Sequence, residues 1–261
     1  MSLTAGLYYE EHGWADGPAL ILSPGLGGSG NYWRPNLDAL KRDYRVILYD
    51  HRGTGRSERK LDNAVTVARW ADDLLRLIDA IGAEKASVIG HAAGGLAGLL
   101  LARKAPERLN RLVVVNGWSR PDPHFRRCFE TRLHLLRDSG IAAYVRAQPL
   151  FLYPAAWISR HMAALDAEGA EQIAHFPAVK TVERRIAALR AFDIDSQLGD
   201  ITVPVLALAA ADDMLVPSFC SERLASRIPG ARLATMAWGG HACNVTDPDG
   251  FATPVLDHLR S

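Results

Sequence analysis

Short apolar runs alternate with longer amphipathic stretches along most of the chain. Seven runs rich in Val, Ile, Leu and Tyr are strand candidates: GLYYEEHG, PALILSPG, YRVILYD, KASVIGH, RLVVVNG, VPVLALAA and ARLATMAW. Several are apolar at consecutive positions, which is typical of parallel strands covered by helices on both faces. The pattern therefore predicts an α/β fold, with a mostly parallel, doubly wound sheet.

The clearest helix in this pattern follows Thr66. Apolar residues recur at intervals of three or four from Val67 to Ile81, with Thr66 as a suitable N-cap and Gly82 as a stop. A last helix is predicted after Pro248.

The alternation of strands and helices stops between about Ser119 and Asp200. This segment contains helical pieces interrupted by prolines, and strand–helix alternation resumes at Val203. We therefore predict that residues 1–118 and 200–261 form one core and that residues 119–199 form an inserted helical cap.

Composition narrows the class of partner. The 30 Lys and Arg residues balance 29 Asp and Glu, for a net charge of +1, so neither nucleic acid nor an anionic membrane is an expected partner. The cysteines Cys128, Cys220 and Cys243 lack the spacing of a disulfide framework or a metal site. No leader or membrane-spanning pattern is visible, so we expect a cytoplasmic protein that acts on a small molecule. The oligomeric state stays open, with a homodimer as one alternative.

The loop GLGGSG fits the dinucleotide-binding fingerprint literally. It follows a strand, and Asp50 ends the next strand twenty residues after Gly30. Pro24 and Pro35 flank the loop, however, and disfavour the uninterrupted helix that such a site needs. We therefore expect no cofactor, and interpret the loop as half of an oxyanion hole with the Leu26 N–H as donor.

The segment VIGHAAGGLAGLL, residues 88–100, has the outline of a nucleophile elbow: a strand, Gly-x-nucleophile-x-Gly, and a helix. Ala92 stands at the nucleophile position, and the N–H of Ala93 is the expected second oxyanion donor. The turn alone does not distinguish an elbow from an ordinary strand–helix connection.

Two later segments favour the elbow. AADDMLVP places an acid just beyond a late strand, and GGHACNVTDP places a histidine just beyond the last strand. Nucleophile, acid and base in this order are typical of an α/β hydrolase. We assign His241 as general base and Asp213 as the carboxylate that orients it, with Asp212 as a second acid or a surface residue. No metal is expected.

Longer motifs sharpen this interpretation. SPGLGGSGNYW, YDHRGTGRS, GHAAGG, VNGWSRPDPHFRRCF, AQPLFLYPAAW, DDMLVPSFCSERL and GGHACNVTDPDGF together resemble the RutD-type hydrolases of the Rut pathway of pyrimidine degradation, over nearly the whole chain. The resemblance implies a cytoplasmic enzyme that speeds the breakdown of carbamate or 3-aminoacrylate after ring opening of uracil. It also implies that Ala92 is natural, because RutD-type proteins carry alanine where most relatives carry serine.

These substrates are small anions, so a cationic or N–H-rich patch is expected near the elbow. Arg120, Arg126 and Arg127 are candidates at the cap entrance, although solvated helix charge is the favoured interpretation of each.

The predicted mechanism is direct general-base hydrolysis without an acyl-enzyme. Three alternatives remain open. The chain is also similar to enol-lactonases, so one alternative is a serine-type esterase or enol-lactonase with an engineered serine-to-alanine change at position 92. The others are a non-catalytic small-molecule binding protein and a cofactor-free lyase or oxygenase.

Overall fold

The computed structural model describes residues 2–4, 6–61 and 65–261. Eight strands form one sheet: β1 Ser2–Thr4, β2 Leu7–Gly13, β3 Ala19–Ser23, β4 Arg45–Tyr49, β5 Ala86–His91, β6 Leu109–Val115, β7 Val205–Ala210 and β8 Arg232–Met236. Their order is β1-β2-β4-β3-β5-β6-β7-β8. The ladder from β4 to β8 is parallel, and β2 is antiparallel to both β1 and β4. All seven predicted strands are confirmed, and β1 is the one that the pattern missed.

Ten α-helices accompany the sheet in the described part of the chain. They are α1 Leu37–Leu40, α2 Val67–Ala80, α3 Ala93–Lys104, α4 Pro123–Asp138, α5 Gly140–Leu152, α6 Ala155–Ala174, α7 Val179–Ala191, α8 Phe219–Arg227, α9 Cys243–Thr246 and α10 Pro248–Arg260. Helices α4–α7 lie between β6 and β7, in the segment for which the sequence predicts a cap. Whether 119–199 is a separate unit with those limits stays a prediction.

Local sequence explains the start of α2. The Thr66 side chain accepts a hydrogen bond from the Arg69 N–H at 3.3 Å, as an N-cap does. The helix ends at Ala80, two residues before the predicted stop at Gly82. The predicted helix is therefore confirmed, with a small difference at its C-terminal end.

Both faces of the sheet are buried. Neighbouring residues of β5 illustrate this, because Val88 belongs to the apolar core on one face and Ile89 to the core on the other. Leu74 of α2 and Leu96 of α3 cover the first face, and Phe251 of α10 covers the second. The consecutive apolar positions in the strands reflect this covering.

The loop GLGGSG leads into a 3-10 helix, Gly30–Asn36, and not into an α-helix. Two of its N–H groups are already bonded within the protein: Gly28 donates to the Gly25 carbonyl at 3.1 Å, and Gly30 donates to Asp50 Oδ1 at 2.8 Å. A pyrophosphate needs free N–H groups at the start of a helix. This loop therefore differs from the dinucleotide fingerprint in its local structure.

The three cysteines are buried and unpaired with one another. Burial raises the pKa of the Cys243 thiol to about 12, so this group is a protonated packing residue and not a nucleophile at neutral pH. None of the helices in the described ranges has both the length and the apolar character to cross a membrane.

A buried histidine makes folding stability sensitive to acid. Burial, then the charges of Arg111 and Arg232, lower the pKa of His258 from 6.5 to about 4. Between these values the unfolded chain binds a proton that the folded chain does not, so stability falls as pH falls. Between about pH 7.5 and about pH 5, the free energy of unfolding of His258→Leu should fall by about 2 kcal/mol less than that of the native chain, as measured by urea unfolding. His134→Leu, at an exposed position of α4, is the matched control for the loss of a histidine.

Candidate active site

The residues singled out in the sequence lie at one edge of the sheet. Leu26 follows β3, Ala92 follows β5, Asp213 follows β7 and His241 follows β8. Strands β3, β5, β7 and β8 all belong to the parallel part of the sheet, so these four residues lie beyond its carboxyl end. In open α/β sheets this edge is where ligands bind.

Ala92 has the backbone of a nucleophile elbow. Its φ of 43° and ψ of −109° place it in a region that L-residues rarely adopt. The turn is tight, because a Cβ on Gly90 would lie 2.3 Å from the Gly95 nitrogen and a Cβ on Gly94 would lie 2.3 Å from the Ser23 oxygen. The protein thus keeps the strained turn although a methyl group stands where a hydroxyl would react.

His241 and Asp213 form a buried pair. His241 Nδ1 donates to Asp213 Oδ2 at 2.7 Å, and the two side chains are 3% and 0% exposed. The other carboxylate oxygen accepts from the N–H groups of Leu215 and Val216 at 2.7 and 2.9 Å. With the proton on Nδ1, Nε2 of His241 carries a lone pair that can accept a proton.

The backbone of His241 is held by two side chains that the sequence analysis missed. His91 Nε2 and Asn116 Nδ2 both donate to its carbonyl oxygen, each at 2.8 Å. Burial and the neighbouring His241 hold the pKa of His91 well below its usual range, so its ring is neutral. Asn116 has a φ of 48°, and its Oδ1 accepts from the Ala210 N–H at the end of β7. These contacts fix the base relative to the strands beneath it.

Asp212 contributes to the same loop in a different way. Its carboxylate accepts the Gly240 N–H at 2.8 Å, whereas the His241 ring bonds to Asp213. The residue therefore braces the histidine loop. Asp212 is exposed, as the surface alternative expects, and its hydrogen bond is to the loop and not to the His241 ring.

The two predicted oxyanion donors have N–H groups that are not used within the described ranges of the protein. In the described part of the chain, the Leu26 N–H has no protein acceptor, and the Ala93 N–H is free as the first of α3. Gly25 packs against the His91 ring, because a Cβ added there would lie 2.6 Å from His91 Nδ1. The His91 ring in turn contacts the His241 ring, with centroids 4.6 Å apart. The residue before Leu26 is thus linked to the His241 ring through the His91 ring.

The arginines of the segment 119–199 differ in exposure. Arg120, Arg126 and Arg127 are exposed, as the favoured interpretation expects. The sequence analysis overlooked Arg132 and Arg185, which are only 4% and 1% exposed. A signal was present, since each occupies the apolar stripe of its helix. The buried positions are Phe125, Cys128, Phe129, Arg132, Leu133 and Leu136 in α4, and Thr181, Val182, Arg185, Ile186 and Leu189 in α7.

Other features do not add chemistry to the site. Across the described ranges, no three His, Cys, Asp or Glu side chains lie close enough together to hold a metal ion. A groove of about 880 Å³ between α2, α3 and α7 is lined by residues such as Thr66, Ala188 and Phe192, and none of the four residues at the sheet edge lines it.

Comparison with known proteins assigns the chain to a family. A sequence model of the α/β hydrolase fold matches residues 18–140. The RutD protein of Caulobacter vibrioides is 57% identical over 98% of this chain and 96% of its own length. The RutD protein of Agrobacterium fabrum is 48% identical over 97% of this chain and 98% of its own. The chain belongs to the RutD family of α/β hydrolases. Both relatives are named as candidate carbamate hydrolases.

Solved structures agree with this assignment. A hydrolase from Pseudomonas aeruginosa superposes with a TM-score of 0.84 at 30% identity, over 98% of this chain and 94% of its own. An enol-lactonase from Burkholderia xenovorans has a TM-score of 0.88 at 26% identity, over 98% and 96%. The predicted α/β hydrolase fold and RutD resemblance are confirmed, and with them the hydrolase class of enzyme.

The strained elbow has a measurable cost. Ala92→Gly and Ala97→Gly each remove a methyl group that is at least 95% buried, but only Ala92 has a positive φ. Ala97→Gly is expected to destabilise the protein by about 2 kcal/mol, from lost methyl burial and helix propensity. In Ala92→Gly the relief of about 1–3 kcal/mol of backbone strain offsets these losses. The urea concentration at the midpoint of unfolding should therefore stay close to the native value or rise. Equal destabilisation of the two variants would show that the elbow is unstrained.

Proposed function

We propose that this RutD-family chain hydrolyses carbamate or 3-aminoacrylate in pyrimidine degradation by general-base activation of water. The observation that carries the proposal is the buried His241–Asp213 pair beside an elbow that holds Ala92. A base is in place and a nucleophilic side chain is not. Water can occupy the space that a serine hydroxyl would fill, and the attack then needs no acyl-enzyme.

The first step forms a bond between the water oxygen and the substrate carbon. His241 Nε2 accepts a proton from that water as it attacks, and the π electrons of the substrate carbonyl move onto its oxygen. Asp213 keeps Nδ1 protonated and stabilises the imidazolium that results. The N–H groups of Leu26 and Ala93 stabilise the negative oxygen.

The second step expels nitrogen. The oxyanion re-forms its double bond, the C–N bond breaks, and the imidazolium of His241 returns its proton to the leaving nitrogen. For carbamate the products are ammonia and bicarbonate. For 3-aminoacrylate, a proton first moves from nitrogen to C2 to give the imine; water then adds to C3, His241 accepts its proton, and the C=N π electrons move onto nitrogen, which takes that proton back. The new hydroxyl next gives its proton through His241 to the leaving nitrogen while the C=O bond forms and the C–N bond breaks, so that ammonia and an aldehyde acid are released.

The expected gain suits such substrates. Binding and an oxyanion hole without a nucleophile still give roughly 10³- to 10⁴-fold over water in serine proteases stripped of their triad. That gain is too small for a stable amide but sufficient for compounds that already decay spontaneously. We therefore propose a small anion as the partner, and neither nucleic acid nor a membrane.

The proposal is tested by following the decay of carbamate and of freshly generated 3-aminoacrylate by stopped-flow. The native chain should accelerate at least one of them over buffer and over an equal mass of heat-denatured chain. Equal rates in all three conditions would remove the enzymatic proposal and favour the binding-protein alternative.

The serine-type alternative makes a different prediction. If the elbow belongs to an esterase, Ala92→Ser should give a burst of product with an activated ester and a covalent acyl adduct in the mass spectrum. Under our proposal the native chain forms no adduct with carbamate or 3-aminoacrylate, and Ala92→Ser lowers their turnover because the hydroxyl displaces the attacking water.

A further inference from the structure

Arg185 of α7 is a buried cation that touches the oxyanion loop. Its Nε donates to the Leu26 carbonyl at 2.9 Å, and one terminal nitrogen, Nη2, donates to the Gly25 carbonyl at 3.3 Å. Nη2 also donates to His51 Nδ1 at 2.9 Å. The guanidinium lies over the Trp70 ring, 4.8 Å from its centroid.

All these partners are neutral. Burial, then the charge of Arg185, hold the pKa of His51 well below its usual range, so this imidazole accepts without a charge. Burial lowers the pKa of Arg185 itself to about 10, which leaves the guanidinium charged at neutral pH. Within the described ranges the hydrogen-bond acceptors of Arg185 are two carbonyls and one imidazole, with no carboxylate among them, and its Nη1 is buried without any hydrogen bond. The charge is thus desolvated but not neutralised.

A structural role does not account for this arrangement. Burying a cation without a counter-ion is strongly unfavourable, whereas an apolar side chain would extend the stripe formed by Val182, Ile186 and Leu189. A charge kept at such a cost points to an electrostatic task in the neighbouring site.

Peptide geometry shows what that task is. In a trans peptide the C=O and N–H bonds point in opposite directions, and no cis peptide occurs in the described ranges. The Gly25 carbonyl and the Leu26 N–H belong to one peptide group. Since the carbonyl faces Arg185, the Leu26 N–H points away from it. The second contact, to the Leu26 carbonyl, fixes the next peptide plane in the same way.

We infer that Arg185 is a positioning residue for the reaction: it aims the Leu26 N–H at the developing oxyanion, and its uncompensated charge makes the site selective for anions. The inference rests on the proposed hydrolysis. The guanidinium contacts no reacting atom and acts through the Gly25–Leu26 peptide. The missing counter-charge is supplied only when an anionic substrate or its transition state occupies the site.

Two substitutions separate charge from geometry. Arg185→Met removes both, and kcat should fall about 10²-fold, which is the loss seen when one oxyanion donor is disabled. Arg185→Lys keeps the charge but cannot bridge two carbonyls and an imidazole, so kcat should fall about tenfold. Arg184→Met is the matched control, because Arg184 is exposed on the same helix turn, and it should keep native kcat and KM.

A spectroscopic measurement supplies an independent readout. The Leu26 amide signal in the ¹H–¹⁵N spectrum should shift when acrylate, a carboxylate that cannot be hydrolysed, is added to the native chain. The shift should be reduced in Arg185→Lys and absent in Arg185→Met. Thermal unfolding of each variant shows whether it is folded, and Arg185→Lys still tests the inference if Arg185→Met does not fold.

The outcomes distinguish this inference from the proposed function. A native chain that accelerates neither substrate overturns the proposed hydrolysis, whatever the variants do. An active native chain with Arg185→Met or Arg185→Lys variants of unchanged kcat, KM and Leu26 shift overturns the role of Arg185 alone. Loss of stability with kcat and KM unchanged would show that the residue is structural.

Discussion

Replacing His241 by alanine is expected to lower kcat for carbamate or 3-aminoacrylate by about 10²- to 10⁴-fold, the usual contribution of a positioned general base. The imidazole is the group whose Nε2 can take the proton from the attacking water, and Asp213 occupies its other nitrogen. The variant keeps the Leu26 and Ala93 donors, so some acceleration over buffer should survive. Stopped-flow decay rates over a range of substrate concentrations give kcat and KM separately.

His175→Ala is the matched control for this experiment. His175 is 73% exposed at the end of α6, so its loss should leave kcat and KM unchanged. If both substrates decayed as fast with His241→Ala as with the native chain, the proposal of general-base catalysis by this residue would be wrong, although the fold assignment would stand.

Asp213→Asn is expected to cost nearly as much as His241→Ala. The present carboxylate accepts two backbone N–H groups on one oxygen and the His241 ring on the other. An asparagine satisfies the two N–H donors with its single oxygen and turns its NH₂ group toward the histidine. Nδ1 must then accept, the proton moves to Nε2, and the ring can no longer take a proton from water. A comparable change in a serine protease lowers kcat about 10⁴-fold.

The double variant sharpens this prediction. Because Asp213 acts only through His241, Asp213→Asn combined with His241→Ala should be no slower than His241→Ala alone. Asp138→Asn, at an exposed position near the end of α4, is the matched control and should retain native rates. Multiplicative losses in the double variant would mean that Asp213 contacts the substrate or its transition state directly.

The placement of the main site residues followed from the chain pattern. Buried parallel strands appear as consecutive apolar residues, and their carboxyl ends meet at one edge of the sheet. The acid after β7 and the histidine after β8 therefore had to approach each other, and the structure places Asp213 Oδ2 2.7 Å from His241 Nδ1. The choice of Asp213 over Asp212 as the partner agrees with this geometry, because Asp212 instead holds Gly240.

The sequence pattern did not reveal the residues that hold the His241 backbone in place. Asn116 and His91 donate hydrogen bonds to the His241 carbonyl, and each lies more than a hundred residues from His241 in the sequence. A local periodicity carries no information about such a contact, because it depends on where a loop after one strand rests against a loop after another. The positive φ of Asn116 is equally invisible, since asparagine is also common in ordinary turns.

The sequence by itself determined the order of seven of the eight described strands, the sheet edge at which the candidate site residues lie, and the alanine at the elbow. Hydrophobic periodicity and turn chemistry are local, so they can be read without the fold. Only the tertiary structure decided which arginine is buried beside the predicted oxyanion loop. Arg120, Arg126 and Arg127 stay in water, while Arg185 is enclosed because α7 docks on the loop that contains Leu26. Burial depends on what packs against a side chain, and that partner lies 159 residues away.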